Sequence, residues 1–171
     1  MRMKIILTGA QGTGKTTVLS NVEYPKITEV VRKLAKHGIN INEMGDEEGQ
    51  IRIFNKYKSL FKVTPEFISD RGLTDVFAYT TWLYKHGRVS EEFWKKQKAA
   101  LRKFKKDNPD IVYCYFPIEF PLVKDGVRSE DESFRNEIDE IIQDILQAFG
   151  FDYIEVTGPV EDRVNIIYTL L

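Results

Sequence analysis

The chain of 171 residues is 42% hydrophobic, 30% charged and 12% aromatic, enough apolar material for one globular core and too much for a disordered chain. Its 26 acidic and 25 basic side chains leave a net charge of −1, which argues against bulk polyanion binding, and a single cysteine, Cys114, rules out an internal disulfide or a multi-cysteine zinc cluster. No apolar run approaches the ~18 residues of a spanning helix, and the run 5–7 breaks at Thr8-Gly9 before it could form a signal-peptide core, so a cytoplasmic protein is expected. Residues 3–8 predict a strand buried on both faces, followed by a helix that starts at Gly14-Lys15 and fails by Pro25. A short strand over 26–28 and a helix over 29–36, closed by Gly38, come next. Ile51, Phe54, Tyr57, Leu60 and Phe61 share one helical face within 43–61, ahead of a strand at 66–69 and a helix at 74–85. The helix at 90–106 has a Ser90 cap, Glu91-Glu92 in its first turn and lysines in its last, matching the helix dipole at both ends. Residues 111–116 are the most strand-like run, and Phe134, Ile138, Ile141, Ile142, Ile145 and Phe149 then form a helical stripe closed by Gly150. A strand at 153–157 and a helix at 160–170 complete the alternation, which predicts an α/β sandwich of three layers around a mostly parallel five-stranded sheet. No repeat or linker interrupts it, so one domain over 1–171 is expected.

Gly9-Ala10-Gln11-Gly12-Thr13-Gly14-Lys15-Thr16 fits G-x-x-x-x-G-K-[ST] and sits between a buried strand and a helix start, where a phosphate-binding P-loop must lie. Glycines let successive N–H groups turn inward toward phosphate oxygens, and the helix N-terminus adds positive potential. Lys15, read as a surface point charge with no core role, would meet the β and γ phosphates, and the Thr16 hydroxyl suits Mg²⁺. Gly9, Gln11, Gly12, Thr13, Gly14, Lys15, Thr16 and Thr17 are the expected ATP-binding set. The guanine-reading Asn-Lys-x-Asp is missing, since Asn55-Lys56-Tyr57-Lys58 lacks the aspartate, and the strand at 111–116 runs into Pro117 with no carboxylate at its end. Asp70 and Arg71 instead project from the C-terminal end of a predicted strand, the edge where α/β proteins bind ligands. Asp70 is a candidate base or Mg²⁺ ligand, and Arg71 a clamp on the phosphates.

The stretch from Asp70-Arg71-Gly72-Leu73-Thr74-Asp75 to Tyr79 resembles the Asp-Arg segment of thymidylate kinases and of nicotinamide riboside kinase-like AAA-type P-loop domains. Thr28-Glu29-Val30-Val31-Arg32 looks like the acceptor-side Glu segment of the same nucleoside and nucleotide kinases. Asp125-Gly126-Val127-Arg128 and Phe134-Arg135-Asn136-Glu137-Ile138-Asp139 are similar to their arginine-bearing lid, and Val156-Thr157-Gly158-Pro159-Val160-Glu161-Asp162-Arg163 to their last strand and the loop against the adenine. Gly72 stands where thymidylate kinases tend to carry an aromatic residue, and residues 39–64 match no particular acceptor-base pocket. The resemblance implies the P-loop NTPase fold, a helical lid near 118–137, and γ-phosphate transfer from ATP to a small nucleoside or nucleotide. The polar stretch 124–132, with no apolar stripe to fix it, is expected to be mobile without ligand. The resemblance further implies that Glu29 is a base or sugar contact, that Arg128 and Arg135 steady the migrating phosphoryl group, and that Gly158 and Pro159 shape the adenine edge.

Two other readings stay open. The helix 90–106 carries seven basic residues against Glu91 and Glu92, a surface on which DNA or RNA could lie, so the acceptor could be a hydroxyl within a polynucleotide. A nucleotide-binding regulator or slow ATPase without an acceptor is the third. Asp75 reads as an early-helix carboxylate, Arg32 as a second cleft residue one turn beyond Glu29, His37 and His86 as helix-end residues, and Cys114 as an inert strand residue.

Overall fold

The computed structural model describes residues 1–122 and 131–171. In chain order the elements are β1 (Lys4–Thr8), α1 (Lys15–Ser20), β2 (Lys26–Ile27), α2 (Val30–Lys36), a 3-10 turn (Asn42–Met44), α3 (Glu47–Val63), β3 (Phe67–Asp70), α4 (Leu73–Lys85), α5 (Glu91–Asp107), β4 (Val112–Tyr115), α6 (Glu132–Ala148), β5 (Tyr153–Glu155) and α7 (Val160–Tyr168). The five strands pair in parallel, in the order β2-β3-β1-β4-β5, so the sheet is wholly rather than mostly parallel.

The pleat divides β1 between two cores. Ile5 and Leu7 pack with Val18, Leu19 and Ile167, beneath α1 and α7. Ile6 turns to the other face, where α3, α4, α5 and α6 bring a larger and more aromatic cluster. There Phe61 stacks on Phe67 with ring centroids 4.9 Å apart, and Tyr113 meets Phe151 edge-on at 4.7 Å. Burial on both faces explains why β1 and its neighbours are continuous apolar runs. Asp46, Ser90 and Asp131 cap α3, α5 and α6, each carboxylate or hydroxyl accepting a backbone N–H of the first turn.

Several boundaries differ from the sequence reading for local reasons. The helix expected from residue 43 starts at Glu47, because Asn42 adopts φ 56° and Asp46 supplies the cap. α1 stops at Ser20, with Asn21 closing its last turn well before Pro25. Of the expected lid, residues 123–130, with Arg128, lie outside the described residues, while Glu132 onward belongs to α6, which packs along α4. No helix among the described residues is long and apolar enough to cross a membrane.

β1 lies between β3 and β4, and the chain leaves β1 through α1 on one face of the sheet and β3 through α4 on the other, which opens a crevice beyond the strands' C-terminal ends. The register there places Leu7 beside Asp70 and Thr8 beside Tyr115. Backbone bonds from Arg71 N to Leu7 O (2.9 Å) and from Phe116 N to Thr8 O (2.8 Å) carry the pairing to that edge. The loop after β1 and the Asp70-Arg71 pair are thus neighbours by register.

Candidate active site

Residues 9–14 curl from β1 into α1. Gly9 has φ 156°, and a Cβ there would stand 2.6 Å from the Phe116 carbonyl, so neither the turn nor the fit tolerates a side chain. Lys15 is not the surface charge expected from the sequence: it is 4% exposed. Its Nζ donates to Gly9 O (2.9 Å), Ala10 O (2.7 Å) and Thr13 Oγ1 (3.1 Å). Helix α1 points the lysine stem back over the loop, where carbonyl oxygens take the ammonium's protons. The cation therefore has a structural task as well as a place beside the loop's inward amides.

Asp70 ends β3 against this loop. Thr16 Oγ1 donates to Asp70 Oδ2 at 3.0 Å, while Asp70 Oδ1 is buried without a hydrogen-bond partner. Tyr57, from α3, fixes the backbone by donating to Asp70 O at 3.0 Å. A hydroxyl beside a half-satisfied carboxylate fits a hard cation that takes most of its remaining ligands from phosphate and water, as Mg²⁺ does. Among the described residues no cluster of three or more His, Cys, Asp or Glu forms an all-protein cage.

Asp75 does more than its sequence position suggested. It is 1% exposed, and its two oxygens accept Gly9 N and Gly72 N, both at 3.0 Å, joining the phosphate loop to the start of α4. Burial pushes its carboxyl pKa up, and the nearby Arg71 and Lys15 charges and the two amides pull it back only in part. The Gly72-x-x-Asp75 spacing signals a helix start, but the bond to Gly9 spans 66 positions and no local pattern announces it.

A cleft of about 670 Å³ brings together Lys15, Thr16, Asp70, Arg71, Glu29 and Arg32. Glu29 (φ 63°), Asn42 (φ 56°) and Arg71 (φ 77°) are the non-glycine residues with positive φ among those described, and all three line it. Backbone strain gathered on one cleft marks a functional site. Glu29 Oε2 lies 3.6 Å from Arg32 Nε, so both face the opening as anticipated. Burial works against the charge on Arg71, but Tyr79, Asp75 and Asp70 around it raise its pKa and keep it cationic. Beyond Arg71 a second, more apolar hollow of about 380 Å³ continues between α3 and α4, walled by Ile41, Ile53, Val76 and Tyr79 with Gln50 among them. Residues 39–64, which matched no acceptor pocket in sequence, supply half of that wall.

A family model described as an AAA domain matches residues 4–163. The chain belongs to this AAA domain family. Among curated proteins none matches the sequence. In fold, this AAA domain is similar to NadR protein in complex with NR, at a TM-score of 0.74 and 15% identity over 98% of this chain and 50% of that one. It is also similar to deoxyadenosine kinase from M. mycoides with bound dATP (TM-score 0.69, 16% identity, 99% and 98% covered). Thymidylate kinase from Candida albicans gives a TM-score of 0.66 at 14% identity, with 99% and 91% covered. The chain thus spans about half the length of NadR and nearly all of the two kinases. The α/β architecture is that of P-loop nucleoside and nucleotide kinases.

The remaining expected residues fall on both sides of the AAA domain's phosphate loop. Thr13 is buried and donates to Ala10 O at 3.0 Å, whereas the exposed Thr17 holds Ser20 and Asn21 through its carbonyl. Gly158 and Pro159 lead into α7, and Gly158 N donates to Glu119 Oε2 at 3.2 Å. Arg163, which closes the adenine-side segment in sequence but has no role assigned there, is the joint on this side at 1% exposed. It donates to Thr13 O and to Gly158 O, both at 2.7 Å, and pairs with Glu119. Arg135, expected on a closing lid, is 3% exposed and donates from Nη1 to Phe120 O (2.9 Å) and Gly12 O (3.4 Å). His37 and His86 end α2 and α4 as expected, and burial pushes the Cys114 thiol up to about 12.

The basic helix takes a different place. Lys95, Lys96 and Lys103 pair with Glu91, Glu92 and Asp107 within α5, and Lys98, Arg102 and Lys105 lie over the rings of Trp94, Phe149 and Phe151. Lys103 also shares a surface hollow with Lys4, the first residue of β1 and hence at the sheet edge opposite the cleft.

Proposed function

We propose that this AAA domain is an ATP-dependent phosphotransferase that moves the γ-phosphoryl group to a small nucleoside or nucleotide. One observation carries the reading: the strained cleft holding the phosphate loop, Thr16, Asp70 and Arg71 runs directly into a second, more apolar hollow between α3 and α4. The loop amides and Lys15 bind the β and γ phosphates, Gly158 and Pro159 border the adenine, and Arg71 faces the charge that develops between donor and acceptor, while the buried Arg135 braces the loop through Gly12 O. Thr16 and Asp70 would hold Mg²⁺, which supplies charge neutralisation on the phosphates. Because Asp70 already receives the Thr16 hydroxyl and would hold the metal, Glu29, which pairs with Arg32 on the cleft, serves as base for a hydroxyl acceptor. In the transfer the bond from the γ phosphorus to the bridging oxygen breaks as one to the acceptor oxygen forms. The acceptor's proton passes to Glu29, and ADP leaves.

The paired cations of α5 and their distance from the cleft speak against a polynucleotide acceptor. The test is incubation with γ-labelled ATP and a panel of nucleosides, nucleotides and oligonucleotides. Label on a small acceptor is the expected result. Label on an oligonucleotide would move the reading to the polymer, and label released only as phosphate would make the protein an ATPase.

A further inference from the structure

Gln11 is 2% exposed, lines the cleft, and its amide nitrogen Nε2 is buried without a hydrogen-bond partner. A buried donor left unpaired is costly, so its orientation needs a cause. The cause is a chain of hydrogen bonds with a forced direction. Arg71 Nη1 donates to the Tyr79 hydroxyl at 3.0 Å, and a guanidinium can only donate. The hydroxyl therefore accepts from Arg71, and its single proton goes to Gln11 Oε1, also at 3.0 Å. With its oxygen tied to Tyr79, the Gln11 carboxamide has only its N–H₂ end left over for a ligand in the cleft. Were the amide reversed, its N–H₂ would compete with Arg71 for the hydroxyl oxygen and the hydroxyl proton would lose this acceptor.

We propose that Tyr79 is a positioning residue which relays the fixed polarity of Arg71 to Gln11, so that Gln11 Nε2 donates to a non-bridging oxygen of the transferring phosphoryl group. The inference rests on the phosphotransferase reading. A neutral donor suits this place because Lys15 and Arg71 already supply the positive charge, and an amide adds direction without further like-charge repulsion. Tyr79 reaches the reacting group through Gln11 alone. It belongs to α4, so the relay also ties the hollow it walls to the phosphate loop.

The experiment compares Tyr79→Phe, Gln11→Leu and Gln11→Glu with the unaltered protein in turnover, melting temperature and binding of two probes, Mg·ADP and Mg·ADP with aluminium fluoride, which mimics the transferring phosphoryl group. The expected result is a loss in kcat of about tenfold for Tyr79→Phe and about 10²-fold for both Gln11 variants, at unchanged KM. Mg·ADP affinity should hold while the aluminium fluoride complex weakens by similar factors. Full kcat and undiminished aluminium fluoride binding in Tyr79→Phe would overturn the relay. So would equal weakening of both probes with a lowered melting temperature, which marks a packing role. If the unaltered protein labels no acceptor, the functional reading fails on its own, and the difference between the two probes still decides the relay.

Discussion

Lys15 closes the loop that it serves. Three oxygens of that loop hold its ammonium, so Lys15→Ala should abolish phosphoryl transfer and also loosen residues 9–13, while the circular dichroism of the rest stays unchanged. Unaltered turnover at saturating ATP would rule out the phosphate-loop assignment. Asp70→Asn keeps an oxygen for the Thr16 hydroxyl and removes the charge. Turnover should fall by about 10²-fold or more, with little change in metal-free ATP affinity or melting temperature. A destabilised but fully active Asp70→Asn protein would make Asp70 a structural residue. Asp75→Asn is the opposite case. An amide cannot accept from both Gly9 N and Gly72 N, so one buried N–H loses its partner, and a loss of about 1–3 kcal/mol in chemical denaturation is expected.

At the scale of elements, apolar spacing and helix-start residues made most strands and helices legible: the period-two split of β1, the α6 stripe and the Ser90 cap need only neighbouring residues to be read. The start of α3 was misplaced because a left-handed Asn42 and a cap at Asp46 override the helical spacing that begins earlier. Asp46 offers a pH test. The Gly49 amide and then the Asn40 side chain hold its carboxyl below the usual carboxylate value. The cap's charge-linked contribution is therefore present above the unfolded pKa of about 3.9 and is lost as pH falls through the lower folded value. Asp46→Ala should cost about 1 kcal/mol at neutral pH, and its melting curve should converge on that of the unaltered protein in acid. Gly72 is a packing requirement that sequence alone left as a mere departure from thymidylate kinases. Its backbone is extended, but a Cβ would stand 2.8 Å from Ile6 Cγ2, so Gly72→Ala should destabilise by about 1–3 kcal/mol. Asp75 and Arg163 were illegible in their roles for one shared reason: each acts on the phosphate loop from a distant part of the chain.

Across the whole molecule, the cleft draws its walls from both cores, with the phosphate loop between α1 and α7 on one side and the second hollow among α2, α3 and α4 on the other. Ligand binding should then stabilise the entire fold. ATP with Mg²⁺ at a hundred times its Kd should add about 2.7 kcal/mol, a rise of about 5–10 °C in melting temperature for a chain of this size. In Asp70→Asn the magnesium-dependent part of that rise should vanish, while the part due to ATP alone remains.

The hydrogen bond from Arg163 to Thr13 joins positions 150 apart. During synthesis the phosphate loop emerges well before the arginine that closes its outer side, which at ordinary ribosome speeds follows roughly 10–30 s later. Nucleotide therefore cannot act as an early scaffold for the nascent chain. Chains arrested before residue 163 carry the whole glycine-rich motif, yet should pass through a nucleotide resin unretained, and the capacity to bind should arrive late and all at once as α7 docks.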